Sequence, residues 1–262
     1  MSYLLIISIA VLVSSLTFFS GFGLGILLLP AFAFFFPADI AVAATAVVHV
    51  SNNIFKIFLL GKNAHWKTVI VFGIPAVIFS FLGAILLSYV AEIKPIFEYH
   101  LFSKECKIEI LKIIIALLLI LYAVSELNKN LSELKFNRKY LALGGLISGF
   151  FGGLSGQQGA LRAAFLSKIG LTKEQFIATS VIASVMVDIT RISVYGFYFF
   201  QNETAFYQND RLIGLIIVGV LAAFSGSIIG IKFLKKITLT SLKLIVGISL
   251  LILAFALGLG II

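Results

Sequence analysis

The chain of 262 residues is 61% hydrophobic and only 12% charged, with a mean hydropathy of +1.14. Soluble domains carry about 25% charged residues, so this composition excludes a soluble globular domain. The net charge of +9 comes from Lys and Arg near the ends of apolar segments, which indicates membrane topology and contact with anionic lipid rather than nucleic acid. The single cysteine, Cys106, excludes an intrachain disulfide, and no residue pattern indicates a metal site or another cofactor.

The first predicted element is a long apolar region, residues 2–36, which the glycine-rich sequence GFGLG interrupts at 21–25. A helix broken at membrane depth leaves backbone amides that protein, water or a ligand must satisfy. The half-helix after the break presents free N–H groups and the positive end of its dipole, which suit an anion. Gly23, Leu24 and Gly25 are therefore candidate substrate-binding residues, with close helix packing through small residues as the alternative.

Six uninterrupted spans follow the length rule of about 20 apolar residues per membrane crossing. They are predicted at 39–60, 67–90, 109–126, 174–200, 211–233 and 239–261. Between the second and third of them, the polar segment 92–107 is expected to form an external loop that lies partly at the membrane interface.

Polar side chains interrupt the span at 39–60. We expect Asn52 and Asn53, near mid-span, to hydrogen-bond a ligand or another helix. His49 is either an interior polar residue held by its neighbours or a carrier for a coupling proton. Lys56 lies close to the end of the span and is expected to snorkel to the cytoplasmic interface.

The second broken region, residues 139–168, contains the sequence GGLSGQQG at 152–159. Gln157 and Gln158 add side-chain donors and acceptors that are costly in lipid unless they face a cavity or a partner. Together with Gly159, at the start of the next half-helix, they are candidate substrate-binding residues. Arg162 either snorkels or adds positive potential beside the two glutamines.

An ionisable pair lies near the middle of the span at 174–200. Asp188 and Arg191 are three residues apart, on one helical face. Charged groups at that depth are expensive and usually mark a substrate or ion pathway. Arg191 is predicted to bind an oxyanion, and Asp188 to orient it or to carry a coupling proton. The alternative is a self-neutralising pair that holds the bundle together.

The distribution of Lys and Arg predicts the orientation. The group assigned to the cytoplasm comprises Lys62, Lys67, Lys129, Lys135, Arg138, Lys139, Lys168, Lys173, Lys232, Lys235 and Lys236, and the smaller external group comprises Lys94, Lys104, Lys107 and Arg211. Because positive charge flanks the second broken region on both sides, we expect a hairpin that enters from the cytoplasm. The first broken region lacks such charges and should enter from outside. A single kinked helix is the alternative for each.

The two halves also resemble each other in sequence. Ala44-Thr45 matches Ala178-Thr179, and Leu111-Lys112-Ile113-Ile114 recurs as Leu242-Lys243-Leu244-Ile245. We therefore predict an all-α polytopic membrane protein with two inverted repeats, each a broken-helix hairpin plus three transmembrane helices. The first repeat covers residues 1–126, a cytoplasmic linker covers 127–138, and the second repeat covers 139–262.

At its glycine motifs the chain resembles the sulfite exporter TauE/SafE family of membrane transporters. The resemblance is carried by the sequences at 21–25 and 149–159, with Pro30 after the first motif. It implies a bacterial-type inner membrane and a substrate such as sulfite, a sulfonate or a related organosulfur anion, often moved outward. Many members have glycines where Gln157 and Gln158 stand here, and a proline where Ala164 stands, so the substrate of this chain can differ from sulfite.

These features predict a secondary active transporter, an exporter of a small anion, that works by alternating access and is coupled to a proton or a cation. A passive anion channel is the alternative, since the same positive half-helix ends would serve a pore. An enzyme is not expected, because the deep segments hold one clear carboxylate, Asp188, and no nucleophile–base constellation.

Overall fold

A computed structural model describes residues 2–18, 24–101, 104–128, 136–167, 169–201, 210–233 and 239–261. In these ranges the chain forms ten α-helices and one β-hairpin. The first five helices are α1 Ser2–Thr17, α2 Leu24–Ala33, α3 Ala38–Leu60, α4 Trp66–Ala91 and α5 Ile110–Leu127. The remainder are α6 Leu141–Ser155, α7 Gly159–Leu166, α8 Lys173–Gln201, α9 Asp210–Phe233 and α10 Leu239–Gly258. Single 3₁₀ turns, Gly61–Asn63 and Arg138–Tyr140, precede α4 and α6.

The predicted spans agree with these helices to about one residue, except at the C-terminus. There α10 ends at Gly258, and Gly260 adopts a φ of 68° that breaks the helix. Within the described ranges, α3, α4, α8 and α9 are long and apolar enough to cross a membrane, and α1, α5 and α10 provide shorter apolar segments. The protein is an all-α polytopic membrane protein, as predicted.

The first broken region folds as a hairpin. The Arg211 guanidinium donates to Ser2 Oγ at 3.2 Å and also lies 5.5 Å from the centre of the Phe35 ring. Ser2 begins α1 and Phe35 follows α2, so both outer ends of the hairpin lie beside the start of α9. Residues 19–23, which include Gly23, lie outside the described residues.

The second broken region is also a hairpin, because α7 folds back along α6. Gly144, near the start of α6, lies against the ring of Phe165, near the end of α7. The Phe136 ring, just before α6, stacks on the same ring at 4.2 Å. Near the turn, Ser148 Oγ donates to the Gln158 carbonyl at 3.0 Å. A single kinked helix is excluded by these contacts.

Each hairpin packs against the opposite half of the chain. Glycines spaced four apart on α6 lie directly on the backbone of α4: Gly145 on Phe72, Gly149 on Ala76 and Gly153 on Ser80. In the same way α1 packs along α9, while α3 packs on α8 and α5 on α10. Helices of one half thus pack against the corresponding helices of the other half, which agrees with a two-fold relation between them. The inverted repeat and its boundaries remain a prediction.

The segment predicted as an external loop contains an antiparallel hairpin of β1, Phe97–Leu101, and β2, Lys104–Ile108. Lys107 in β2 lies 3.3 Å from Glu105 and 3.5 Å from Glu98, and these carboxylates raise the pKa of its ammonium. Tyr99 Oη donates to the Leu259 carbonyl at 2.6 Å, which ties the hairpin to the end of α10. These strands were not predicted from the sequence, although the alternation of apolar and polar residues in Phe97–Leu101 was a usable signal.

Candidate functional site

The candidate site begins where α3 and α8 cross at the centre of the bundle. His49 of α3 and Asp188 of α8 meet there, with 2.6 Å between His49 Nδ1 and Asp188 Oδ2. Asp188 is fully buried, and His49 is 7% exposed. The sequence pointed to both residues separately, but nothing in it indicated that they are bonded to each other.

The other carboxylate oxygen of Asp188 contacts two side chains, Arg191 and Gln158. Arg191 approaches Oδ1 with Nε at 2.9 Å and Nη2 at 2.8 Å, as the spacing of three residues on one helix predicted. Gln158 Nε2 donates to the same oxygen at 3.2 Å. Asp188 is therefore held by groups from α3, from α8 and from the turn between α6 and α7.

Arg162 and Lys56 bring two further cations into the interior. Arg162 is 1% exposed, and its Nη1 donates to Gln158 Oε1 at 3.1 Å. Lys56 is 4% exposed and lies with Nζ 5.4 Å from the centre of the Phe18 ring. The expectation that Lys56 snorkels to the interface is wrong, because Phe18 at the end of α1 covers its ammonium group. Arg162 does not snorkel either, because its side chain is buried.

The neighbouring asparagines of α3 have different surroundings. Asn53 Nδ2 lies 3.3 Å from the His49 ring nitrogens and 3.2 Å from Ser184 Oγ, so it belongs to the central cluster. Asn52 Oδ1 accepts from Ser227 Oγ at 2.8 Å and from Ser14 Oγ at 3.4 Å. Asn52 thus binds α1 and α9 to α3 on another side of the helix, and the structure does not bring it to the cluster.

The start of α2 and the turn between α6 and α7 lie together beside this cluster. A Cβ added at Gly25 would lie 3.7 Å from His49 Cδ2 and 3.8 Å from the Gly156 carbonyl oxygen. Gly156 ends α6 with a φ of +78°, and a Cβ there would lie 2.5 Å from Arg191 Nη1. Leu24 and Gly159, both buried, begin the half-helices α2 and α7. The first turns of both half-helices therefore lie next to the Asp188–Arg191 pair.

Two polar groups at the second turn are buried without a hydrogen-bond partner in the described part of the chain. They are the side-chain amide of Gln157, at both its nitrogen and its oxygen, and Nη1 of Arg191. A buried polar group without a partner costs about 1–3 kcal/mol, and more if it is charged. Such groups commonly mark the place of a ligand or of ordered water.

Two tyrosines that sequence reasoning missed fix the backbone of this turn. Tyr122 Oη of α5 donates to the Gln157 carbonyl, and Tyr195 Oη of α8 donates to the Gly153 carbonyl. Tyr195 lies one helical turn beyond Arg191, so the spacing offered a signal for it. Tyr122 lies in an apolar helix and offered none.

The comparison with known families agrees with this architecture. The family model described as Sulfite exporter TauE/SafE matches residues 6–257, which is nearly the whole chain. The chain belongs to this family. No curated protein and no solved structure matches it. TauE/SafE proteins are membrane transporters that export anions, not enzymes, and the matched range includes both hairpins and the central cluster of His49, Asn53, Asp188 and Arg191.

Proposed function

We propose that this TauE/SafE protein is a secondary active transporter that exports a small anion such as sulfite, a sulfonate or a related organosulfur anion. It works by alternating access in a bacterial-type inner membrane. The observation that carries the proposal is the group of buried cations where the start of α2 lies beside the turn between α6 and α7.

The electrostatics of the cluster favour an anionic ligand. Arg162, Arg191 and Lys56 are buried there, and Asp188 is the one buried carboxylate among the described residues. Burial of charge costs several kcal/mol per ion, so an anion that enters this cluster offsets part of the cost of burying its cations. The planar guanidinium of Arg191 with its unpartnered Nη1 suits an oxyanion, and the amide of Gln157 and the half-helix N-termini add further donors.

The closed state of the cluster favours a carrier over a pore. His49, Asp188, Arg162 and Arg191 are each at most 7% exposed, so an ion reaches them only after helices separate. Conduction by a channel instead needs a continuous path. We propose that the hairpins move against the α3–α8 pair to open the cluster to one side at a time. The hydrogen-bonded His49–Asp188 pair is the candidate for a coupling proton.

Counterflow in proteoliposomes tests this proposal. Vesicles preloaded with unlabelled sulfite are expected to take up labelled sulfite faster than empty vesicles, and the rate should saturate, because a carrier returns loaded more readily than empty. The same assay with a small sulfonate extends the test to the wider substrate class.

Uptake that is linear in concentration and not accelerated by preloading would replace the carrier by the passive channel. Absence of sulfite and sulfonate flux under every ion gradient, with folded protein in the vesicles, would overturn the substrate class.

A further inference from the structure

The side-chain amide of Gln157 is a buried polar group that the protein itself does not satisfy. The residue is 1% exposed, and neither its Nε2 nor its Oε1 has a hydrogen-bond partner in the described ranges. Leaving both ends of a buried amide unpaired is unfavourable, because each end has lost its hydrogen bonds to water. Native structures rarely keep such a group without a ligand or ordered water beside it.

The neighbouring glutamine, Gln158, is equally buried but has partners at both ends. Its Nε2 donates to Asp188 Oδ1 at 3.2 Å, and its Oε1 accepts from Arg162 Nη1 at 3.1 Å. Burial therefore does not distinguish the two glutamines, and the difference lies in their partners. The amide of Gln158 holds protein groups together, whereas the amide of Gln157 is left for a ligand.

The backbone places Gln157 at the candidate site. Gln157 directly follows Gly156, where a Cβ would lie 2.5 Å from Arg191 Nη1, a donor that also has no partner among the described residues. A Cβ at Gly25 would lie 3.8 Å from the Gly156 carbonyl oxygen, so the start of α2 adjoins the same turn. Tyr122 Oη donates to the Gln157 carbonyl and fixes its backbone. The turn that carries the amide is therefore held in position by the protein before a ligand binds.

The two ends of this amide require a ligand with both kinds of hydrogen-bonding group. Arg191 Nη1 and Gln157 Nε2 only donate, so they suit the oxygens of a sulfur oxyanion. Gln157 Oε1 only accepts, and the oxygens of a fully ionised oxyanion have no hydrogen to give it. Rotation of the amide by half a turn exchanges Nε2 and Oε1 but still leaves an acceptor unpaired. An oxyanion that lacks a donor group therefore satisfies only part of the site.

From this mismatch we propose that the transported anion carries a hydroxyl group that donates to Gln157, so that the preferred substrate is a hydroxyalkanesulfonate and not an alkanesulfonate of the same size. The inference rests on the proposed function and adds a specificity-determining residue with the substrate class that it selects. A hydroxyl suits this position better than an ammonium group, because the buried guanidinium groups of Arg162 and Arg191 lie at the same turn and repel a cation.

Isethionate, the hydroxyethanesulfonate ion, and propanesulfonate form a matched pair of probes. Both carry one negative charge at neutral pH, and the hydroxyl of the first stands where the second has a methyl group. In proteoliposomes containing the wild-type protein, we expect kcat/KM for isethionate uptake to exceed that for propanesulfonate by at least about tenfold, because a site built to bind a hydroxyl rejects the analogue that lacks it. A purely apolar site would give the opposite order, since the methyl group gains more from leaving water.

Gln157→Leu replaces the amide by an apolar group and is expected to lower the isethionate-to-propanesulfonate ratio by at least about tenfold. Its midpoint of thermal unfolding should match that of the wild type, because the substitution removes no hydrogen bond of the amide to a described residue. Gln175→Leu is the matched control. Gln175 lies at the start of α8, outside the central cluster, and its Oε1 accepts from the Thr172 backbone N–H at 3.1 Å. That control is expected to keep the wild-type ratio.

An equal or reversed preference for the two sulfonates in the wild type would overturn the inference, and so would a preference for isethionate that Gln157→Leu retains. Uptake of sulfite with uptake of neither sulfonate would overturn it as well. In each of these cases, counterflow of the transported anion still supports the carrier. The wild-type comparison decides the question by itself if Gln157→Leu does not fold. Absence of uptake of every sulfur anion by folded protein would instead overturn the proposed function and the inference with it.

Discussion

At the scale of single residues, Asp188 is the side chain that holds the polar groups of the central cluster together. It receives Arg191 from its own helix, Gln158 from the second turn and His49 from α3. Removing one partner of a buried ion pair typically costs about 3–5 kcal/mol, because the other charge stays buried. The effects of variants at this cluster therefore combine stability with binding, and each test needs both measurements.

Arg191→Ala is expected to abolish anion transport while a folded protein remains. The variant removes the guanidinium that lies against Gly156 in the turn between α6 and α7, whereas Asp188 keeps its bonds to His49 and Gln158. Flux in proteoliposomes and the midpoint of thermal unfolding should be measured on the same preparation. Arg138→Ala, which removes an exposed arginine in the 3₁₀ turn before α6, is the control. Transport by Arg191→Ala with unchanged substrate affinity would reduce Arg191 to a structural role.

The sequence predicted part of this residue-level arrangement and missed the rest for a definite reason. Asp188 and Arg191 are neighbours along one helix, so their contact follows from local geometry. His49 and Asp188 are 139 positions apart, and only the crossing of α3 and α8 brings them together. The burial of Lys56 likewise depends on Phe18 at the end of another helix.

At the scale of elements, the turn between α6 and α7 depends on one glycine. Gly156 has a φ of +78°, a region that costs a residue with a Cβ about 1–2 kcal/mol. Its Cβ would also press on the Arg191 guanidinium. Both the backbone conformation of residue 156 and its contact with the Arg191 guanidinium therefore require glycine at this position.

Gly156→Ala and Gly170→Ala separate these two constraints. Gly170 has a comparable φ of +81°, but a Cβ there meets nothing within 4 Å. Both variants should lower the free energy of unfolding by about 1–2 kcal/mol. Only Gly156→Ala should also lower transport, because its Cβ displaces the Arg191 guanidinium. If that displacement costs at least about 1.4 kcal/mol of binding free energy, transport falls by about tenfold or more. Equal transport rates in the two variants would show that the turn does not position Arg191.

At the scale of the whole molecule, the two hairpins enter the bundle from opposite ends. The outer ends of the first hairpin lie beside Arg211 at the start of α9, and α6 runs parallel to α4 from the other end. The start of α2 consequently lies beside the turn between α6 and α7.

Cysteine labelling tests the predicted orientation of this bundle. In a Cys106→Ala background, Glu98→Cys in β1 should react with a membrane-impermeant maleimide on intact cells. Lys67→Cys, at the other end of α4, should react only after the cells are permeabilised. Reaction of Lys67→Cys on intact cells would reverse the orientation, and reaction of both from one side would contradict α4 as a membrane span.

The sequence by itself determined the class of the protein, the bounds of its spans and the two places where the helices break. These properties depend on the hydropathy and glycine content of neighbouring residues, because a lipid environment forces each span to satisfy its own backbone. The tertiary structure decided which polar residues share the site: His49 and Asn53 join the second-half residues, while Asn52 binds α1 and α9. That choice depends on the faces by which distant helices pack, which local sequence does not specify.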